Sequence, residues 1–174
     1  MKDAVAQRYA RRRRQAAPAG PIVLLHIGDD ATGVAAGTGA ELDAVLVLPM
    51  GAQRTATDFF KHQPPSALEI ETAIMAVEDE VMRARAVTLG HTALYSTDER
   101  VGDMARLLGS PDGLTLEQVE QLFNQLAARA EGRPASQVDI PDDPPFAATL
   151  LILREFMHHL GFEAVQVSRP PAPV

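Results

Sequence analysis

Two short apolar runs, Ile22 to Ile27 and Ala44 to Leu48, stand out from an otherwise amphipathic chain. Neither alternates, which is the pattern of strands covered on both faces, and both are expected in the middle of a sheet. A short helix is expected around Thr55 to Lys61, before Pro64 and Pro65 break the chain. Ser66 with Glu69 then forms a capping box, in which each side chain satisfies a backbone N–H left without a partner at the helix start. Ile70, Ile74, Val77 and Val81 follow at helical spacing, with Ala73 and Ala84 beside them, and predict a helix over 66–85. Ser96 with Glu99 repeats the box ahead of Val101, Met104, Ala105 and Leu108, and Gly109 is the stop. Thr115 with Gln118 repeats it again ahead of Val119, Leu122, Phe123, Leu126 and Ala130, with a stop at Gly132.

The stretch from Val87 to Tyr95 alternates loosely and suits a strand better than a continued helix. Gly132 to Pro145 is rich in Pro and Asp and reads as a long surface loop. Asp143 caps the next helix with Pro144 in its first turn, Phe146 to Leu160 is strongly apolar, and Gly161 ends it. Phe162 to Ser168 is expected as a last strand. These elements predict a mixed α/β (α+β) fold in which a small three- or four-stranded mixed sheet is packed by four or five helices.

Composition adds boundaries to that picture. A chain of 174 residues with 46% hydrophobic and 22% charged residues is long enough and apolar enough to fold around one core. Residues 1–20 carry Lys2, Arg8 and Arg11 to Arg14 against Asp3, a formal +5, which leaves −12 on the remainder of a chain whose total is −7. We therefore expect a basic flexible arm over 1–20, a single globular domain over 21–168 and a Pro-rich tail over 169–174. With no cysteine, disulfides, thiolate metal sites and a cysteine nucleophile are excluded. The longest apolar stretches fall well short of the roughly 20 residues of a membrane helix, so no membrane partner and a cytoplasmic location are expected.

The candidate chemistry centres on Gly28 to Gly39, directly after the first strand. Glycine-rich turns at the carboxyl end of a strand let backbone N–H groups approach an anion, and paired aspartates such as Asp29 and Asp30 suit a cation or proton transfer. Asp29, Asp30 and Gly33 are thus candidate ligand-binding residues. The segment has neither a G-x-G-x-x-G fingerprint nor a Walker lysine. Asp29-Asp30-Ala31-Thr32-Gly33 resembles the Asp-Asp-Leu-Thr-Gly opening of four-carbon acid sugar kinases, a fold much longer than this chain. The plain alternative is a flexible connection whose glycines serve turns.

Arg54 and His62 fall where a ligand at the sheet edge would meet them, and Glu71 and Glu78 share one side of the helix over 66–85. At 1.5 Å per residue their backbones are about 10 Å apart along the axis, too far to share one metal without ligands from elsewhere. They could flank a cleft or simply be the helix's solvated face. Glu155 and His158 have the Glu-x-x-His spacing of di-iron bundles, but no second copy exists, so a structural role is expected and no metal is assigned.

Three functions remain open. The first is a small-molecule-binding or accessory protein, expected as a homo-oligomer, with its cofactor unspecified. The second is a small hydrolase or transferase acting on an anionic phosphate- or carboxylate-bearing substrate. The third is an interaction module using the basic arm. A dedicated nucleic-acid role is disfavoured, because the body is acidic and only 5% of residues are aromatic.

Overall fold

A computed structural model describes residues 1–16, 20–133 and 140–167. Its elements in chain order are α1 (Lys2–Ala16), β1 (Ile22–Ile27), β2 (Thr32–Gly37), β3 (Ala44–Leu48), α2 (Ala52–Phe59), α3 (Ala67–Met82) and α4 (Arg85–Thr88), followed by β4 (Ala93–Ser96), α5 (Glu99–Leu107), β5 (Gly113–Thr115), α6 (Leu116–Ala130), α7 (Pro144–Leu160) and β6 (Ala164–Val167). Among the described residues the six strands form one mixed sheet in the order β3-β2-β1-β4-β6-β5. The sheet is larger than the three or four strands expected. Neither β2 nor β5 was anticipated, because the first is built of Thr, Gly, Val and Ala and the second is three residues long.

The strand β1 lies antiparallel to β2 and parallel to β4, which in turn lies parallel to β6. The carboxyl ends of β1, β4 and β6 therefore share one edge of the sheet. The apolar run of β1 sits inside the sheet as its pattern predicts. The strand β3 is instead at the edge, against expectation. Its continuous apolar pattern still has a cause, since Leu46 packs on the main core while Val45 packs on the opposite face.

The helix starts follow the local chemistry. Both capping boxes at Ser66/Glu69 and Thr115/Gln118 form with all four hydrogen bonds. The side chain of Asp143 accepts from Phe146 N–H at 3.0 Å, and α7 ends at Gly161 in the left-handed conformation. Ser96 does not cap a helix. It closes β4, and α5 starts from Asp98, for a reason that belongs to the site below.

Alternation along the strands divides the interior in two. Val23, Leu25, Ile27, Val34, Ala36, Leu94 and Val165 face a large core, at whose centre α7 packs against α2, α3, α5 and α6. Ile22, Leu24, Ala35 and Tyr95 face a small one, closed by Val5 and Tyr9 of α1. Residues 2–16, expected as part of a flexible arm outside the domain, are thus a helix packed on the sheet. Sequence hid this because only two apolar side chains of the helix, four apart, are buried against the sheet.

The glycines of β2 make that contact possible. A Cβ on Gly33 would lie 2.9 Å from the Val5 Cβ, and one on Gly37 would overlap the Tyr9 hydroxyl. The middle half of the segment read as a glycine-rich loop is therefore a buried strand on which α1 lies closely. The expected loop over 132–145 lies partly outside the described residues, and the tail over 169–174 lies wholly outside them.

Candidate functional site

A cleft of about 1300 Å³ opens at the carboxyl edge of β1, β4 and β6. Its walls are the turn after β1, the first turns of α5, the side of α1 at Arg8 and the head of α7 at Asp143 and Phe146. Such an edge, where the connections leave neighbouring parallel strands in opposite directions, is where open α/β sheets bind ligands.

The floor is a bonded group built by the ends of β1 and β4 and the start of α5. Asp98 occupies the N-cap position of α5, yet its side chain makes no hydrogen bond to the helix. One carboxylate oxygen accepts from Ile27 N–H at 2.9 Å and from the Ser96 hydroxyl at 2.8 Å. The other takes the Nδ1 of His26. Ser96 Oγ in turn accepts from Asp98 N–H at 3.2 Å. The Asp98 side chain is 4% exposed and that of His26 16%, so the acid is sealed and the imidazole, which lines the cleft, is partly open. A cap residue that leaves its helix unserved to hold a histidine breaks a local rule, and such departures concentrate at functional sites.

Charge around this floor is largely paired. Arg100 meets Asp29 at 3.2 Å across the mouth, and Arg106 pairs with Asp103 on the same helix. Arg8 reaches in from α1 and donates to the Thr97 hydroxyl at 3.3 Å, so its charge faces a neutral partner. Leu107, Phe146 and Val167 supply an apolar wall. No group of three or more His, Asp or Glu side chains among the described residues is placed to hold a metal ion.

Of the seven residues singled out from sequence, Asp29 lines this cleft and the other six do not. Asp30 is exposed on the turn. Gly33 lies inside β2 under α1, where its role is steric. Arg54 is on α2 and pairs with Asp58 one turn on. The N–H groups that open α2 donate to the turn itself, Ala52 to the Gly28 carbonyl at 2.8 Å and Arg54 to that of Asp29 at 3.0 Å.

His62 is 75% exposed and bonds Glu69 at 2.9 Å, reinforcing the cap of α3. That carboxyl is lowered from 4.5 to about 2. Burial raises it, but the N–H of Ser66, the His62 ring, the N–H of Lys61 and the Ser66 hydroxyl together outweigh burial. Glu71 is exposed on α3, and Glu78 lies 3.8 Å from His159 on the far side of the large core. Glu155 is buried between Arg154 and His159 while His158 is exposed.

Sequence reading passed over His26, Asp98 and Arg8. One signal was present: His26 is a titratable residue set one place before the end of a strand otherwise made of Ile, Val and Leu, next to a glycine turn.

No protein-family model and no curated protein matches the chain. Solved structures do. A crystal structure of the Aquifex aeolicus member of the Ppx/GppA protein family superposes with a TM-score of 0.80 at 18% identity, covering 97% of this chain and 58% of that one. An exopolyphosphatase from Cytophaga hutchinsonii gives 0.74 at 16%, covering 97% and 60%. A type II variant of the Aquifex aeolicus Ppx/GppA phosphatase gives 0.76 at 18%, covering 92% and 57%. The chain thus spans somewhat over half the length of the structures it resembles, and shares their mixed α/β fold. Among the described residues no helix is long and apolar enough to cross a membrane.

Proposed function

We propose that this chain is, or belongs to, a hydrolase or transferase acting on an anionic phosphate-bearing substrate, bound in the cleft between the β1 turn and α5. The observation that carries the reading is the cleft's composition at that edge: an Arg8 guanidinium facing a neutral hydroxyl, beside an acid-bonded imidazole. A guanidinium matches the geometry of phosphate oxygens, and an anion would give Arg8 the charged partner that Thr97 is not. The fold supports the same class of ligand, since its solved neighbours include a phosphatase and an exopolyphosphatase. The substrate is expected to enter past the Asp29–Arg100 pair, freeing Arg100 to become a second contact as it does.

Binding without turnover is the second reading, and one observation favours it. Arg100 and Arg106 are already matched by Asp29 and Asp103, so one cleft arginine alone faces an uncharged partner.

Thermal shift against pyrophosphate and tripolyphosphate, with Mg²⁺ present and absent, combined with a phosphate-release assay, tests both readings. A ligand that binds only the native state raises its apparent stability by mass action. Arg8→Ala is expected to weaken binding by about tenfold or more, the scale of one charged hydrogen bond. Absence of any shift and of any release removes the phosphate reading. A shift without release selects the second.

A further inference from the structure

We propose that His26 is a general base whose reactive nitrogen is Nε2, aimed into the cleft and fixed in its tautomer by Asp98 and Ser96. The chemistry assigned to it rests on the phosphate reading above, while the geometry stands by itself. Because Nδ1 bonds a carboxylate, it must carry the hydrogen, and the neutral ring then has its lone pair on Nε2. Among the described residues no hydrogen bond occupies Nε2.

The acid is held as firmly as the ring it orients. Asp98 receives Ile27 N–H and the Ser96 hydroxyl on one oxygen and leaves the other for the imidazole, so neither oxygen is free to rotate toward solvent. Ser96 is itself wholly buried, and its hydroxyl accepts from Asp98 N–H while donating to the carboxylate. This is a chain of hydrogen bonds with one open end. A histidine with one nitrogen tied to a buried carboxylate and the other facing a cavity is the arrangement of a positioned base. His26 is the group that would touch the reacting water; Asp98 and Ser96 are positioning residues.

The step balances without a redox partner. The attacking water gives a proton to Nε2 as its oxygen bonds to phosphorus. The bond from phosphorus to the leaving oxygen breaks, and its electron pair stays on that oxygen. The proton on Nε2 then passes to the leaving oxygen or to solvent, which restores the base. Arg8 lies on the same cleft wall and would hold a non-bridging phosphate oxygen during the step.

Two measurements test the inference. The first needs no substrate: ¹⁵N NMR of the imidazole in the wild-type chain should show a pyrrole-like Nδ1 and a pyridine-like Nε2, with a strongly downfield Nδ1 proton that disappears in Asp98→Asn. A ring protonated on Nε2 and bare on Nδ1 overturns the proposal, whatever the activity. The second follows pyrophosphate. His26→Ala is expected to lose about 10²- to 10⁴-fold in kcat, the usual share of one positioned base, to keep wild-type binding of pyrophosphate and to regain rate with added imidazole. Full activity in folded His26→Ala, or a loss that imidazole does not relieve, overturns the base and leaves the phosphate reading standing. If the wild type neither binds nor hydrolyses the probe, the phosphate reading falls, and the general-base step falls with it.

Discussion

The two faces of the sheet are closed in different ways. On one, helices α2, α3, α5, α6 and α7 enclose a large apolar core around Leu150, Leu151 and Phe156. On the other, α1 reaches the sheet through two buried side chains, Val5 and Tyr9. Polar chemistry completes that second contact. Arg13 donates to the Tyr9 hydroxyl at 2.9 Å, to the Gly37 carbonyl at 2.8 Å and to that of Gly20 at 3.0 Å. Arg12 lies over the Tyr95 ring at 4.2 Å. The basic residues that read as a solvated arm are partly a means of fastening it. A charged helix can thus be structural when the side chains of the strand beneath it are small enough to admit its backbone.

Truncation on the first face should be the most costly. Phe156 is fully buried and stacks on Phe162 at 5.8 Å between ring centroids. Phe156→Ala is expected to lower unfolding free energy by about 3–5 kcal/mol in denaturant melts. A loss below about 1 kcal/mol would erase the difference between the faces.

On the second face Gly37→Ala adds a methyl where Tyr9 lies, with an expected cost of about 1–3 kcal/mol. The cost should shrink when Tyr9→Ala is already present, because Tyr9 is one of the groups that must move; strictly additive losses would show that it is not. Arg13→Met should cost about 1–3 kcal/mol by stripping partners from the Gly37 carbonyl and Tyr9. A neutral result would mean that the arginine adorns α1 without holding it.

Smaller effects belong to the caps of the first face. Ser66→Ala is expected to cost about 1 kcal/mol. The smallest effect is in pH dependence. A carboxyl whose folded value is below its unfolded one contributes stability that is present above the unfolded value and is lost as pH falls through the folded value. For Glu69 that window runs from 4.5 down to about 2. Thermal melts of wild type should lose stability across it more steeply than Glu69→Gln, whose side chain keeps the box but has no proton to take up. Equal slopes would remove the carboxylate from the cap.

How much of this was legible depends on the range of the physics involved. Ser66 with Glu69, Thr115 with Gln118 and Asp143 before Phe146 act over three residues, so local sequence announces the starts of α3, α6 and α7. The same rule misled at Ser96 and Glu99. Ser96 satisfies Asp98 instead of a helix, because Asp98 is engaged by a residue 72 positions away. The strand β2 escaped notice because Gly33 and Gly37 are read locally as turn formers, whereas only the approach of α1 explains them. Asp29 lines the cleft because it stands on the turn that the strand pattern itself predicts.

By itself, then, the sequence determined where α3, α6 and α7 begin, that α7 is strongly apolar, and that a turn after the first strand carries acidic residues. These depend on neighbours within a few residues or on the bulk apolar content of a segment. Tertiary structure alone decided that six strands join one sheet, that the basic helix closes its second face, and that His26, Asp98 and Arg8 meet in one cleft. Each of those facts requires contact between side chains far apart in the chain, and no local energy term specifies which distant residue will arrive.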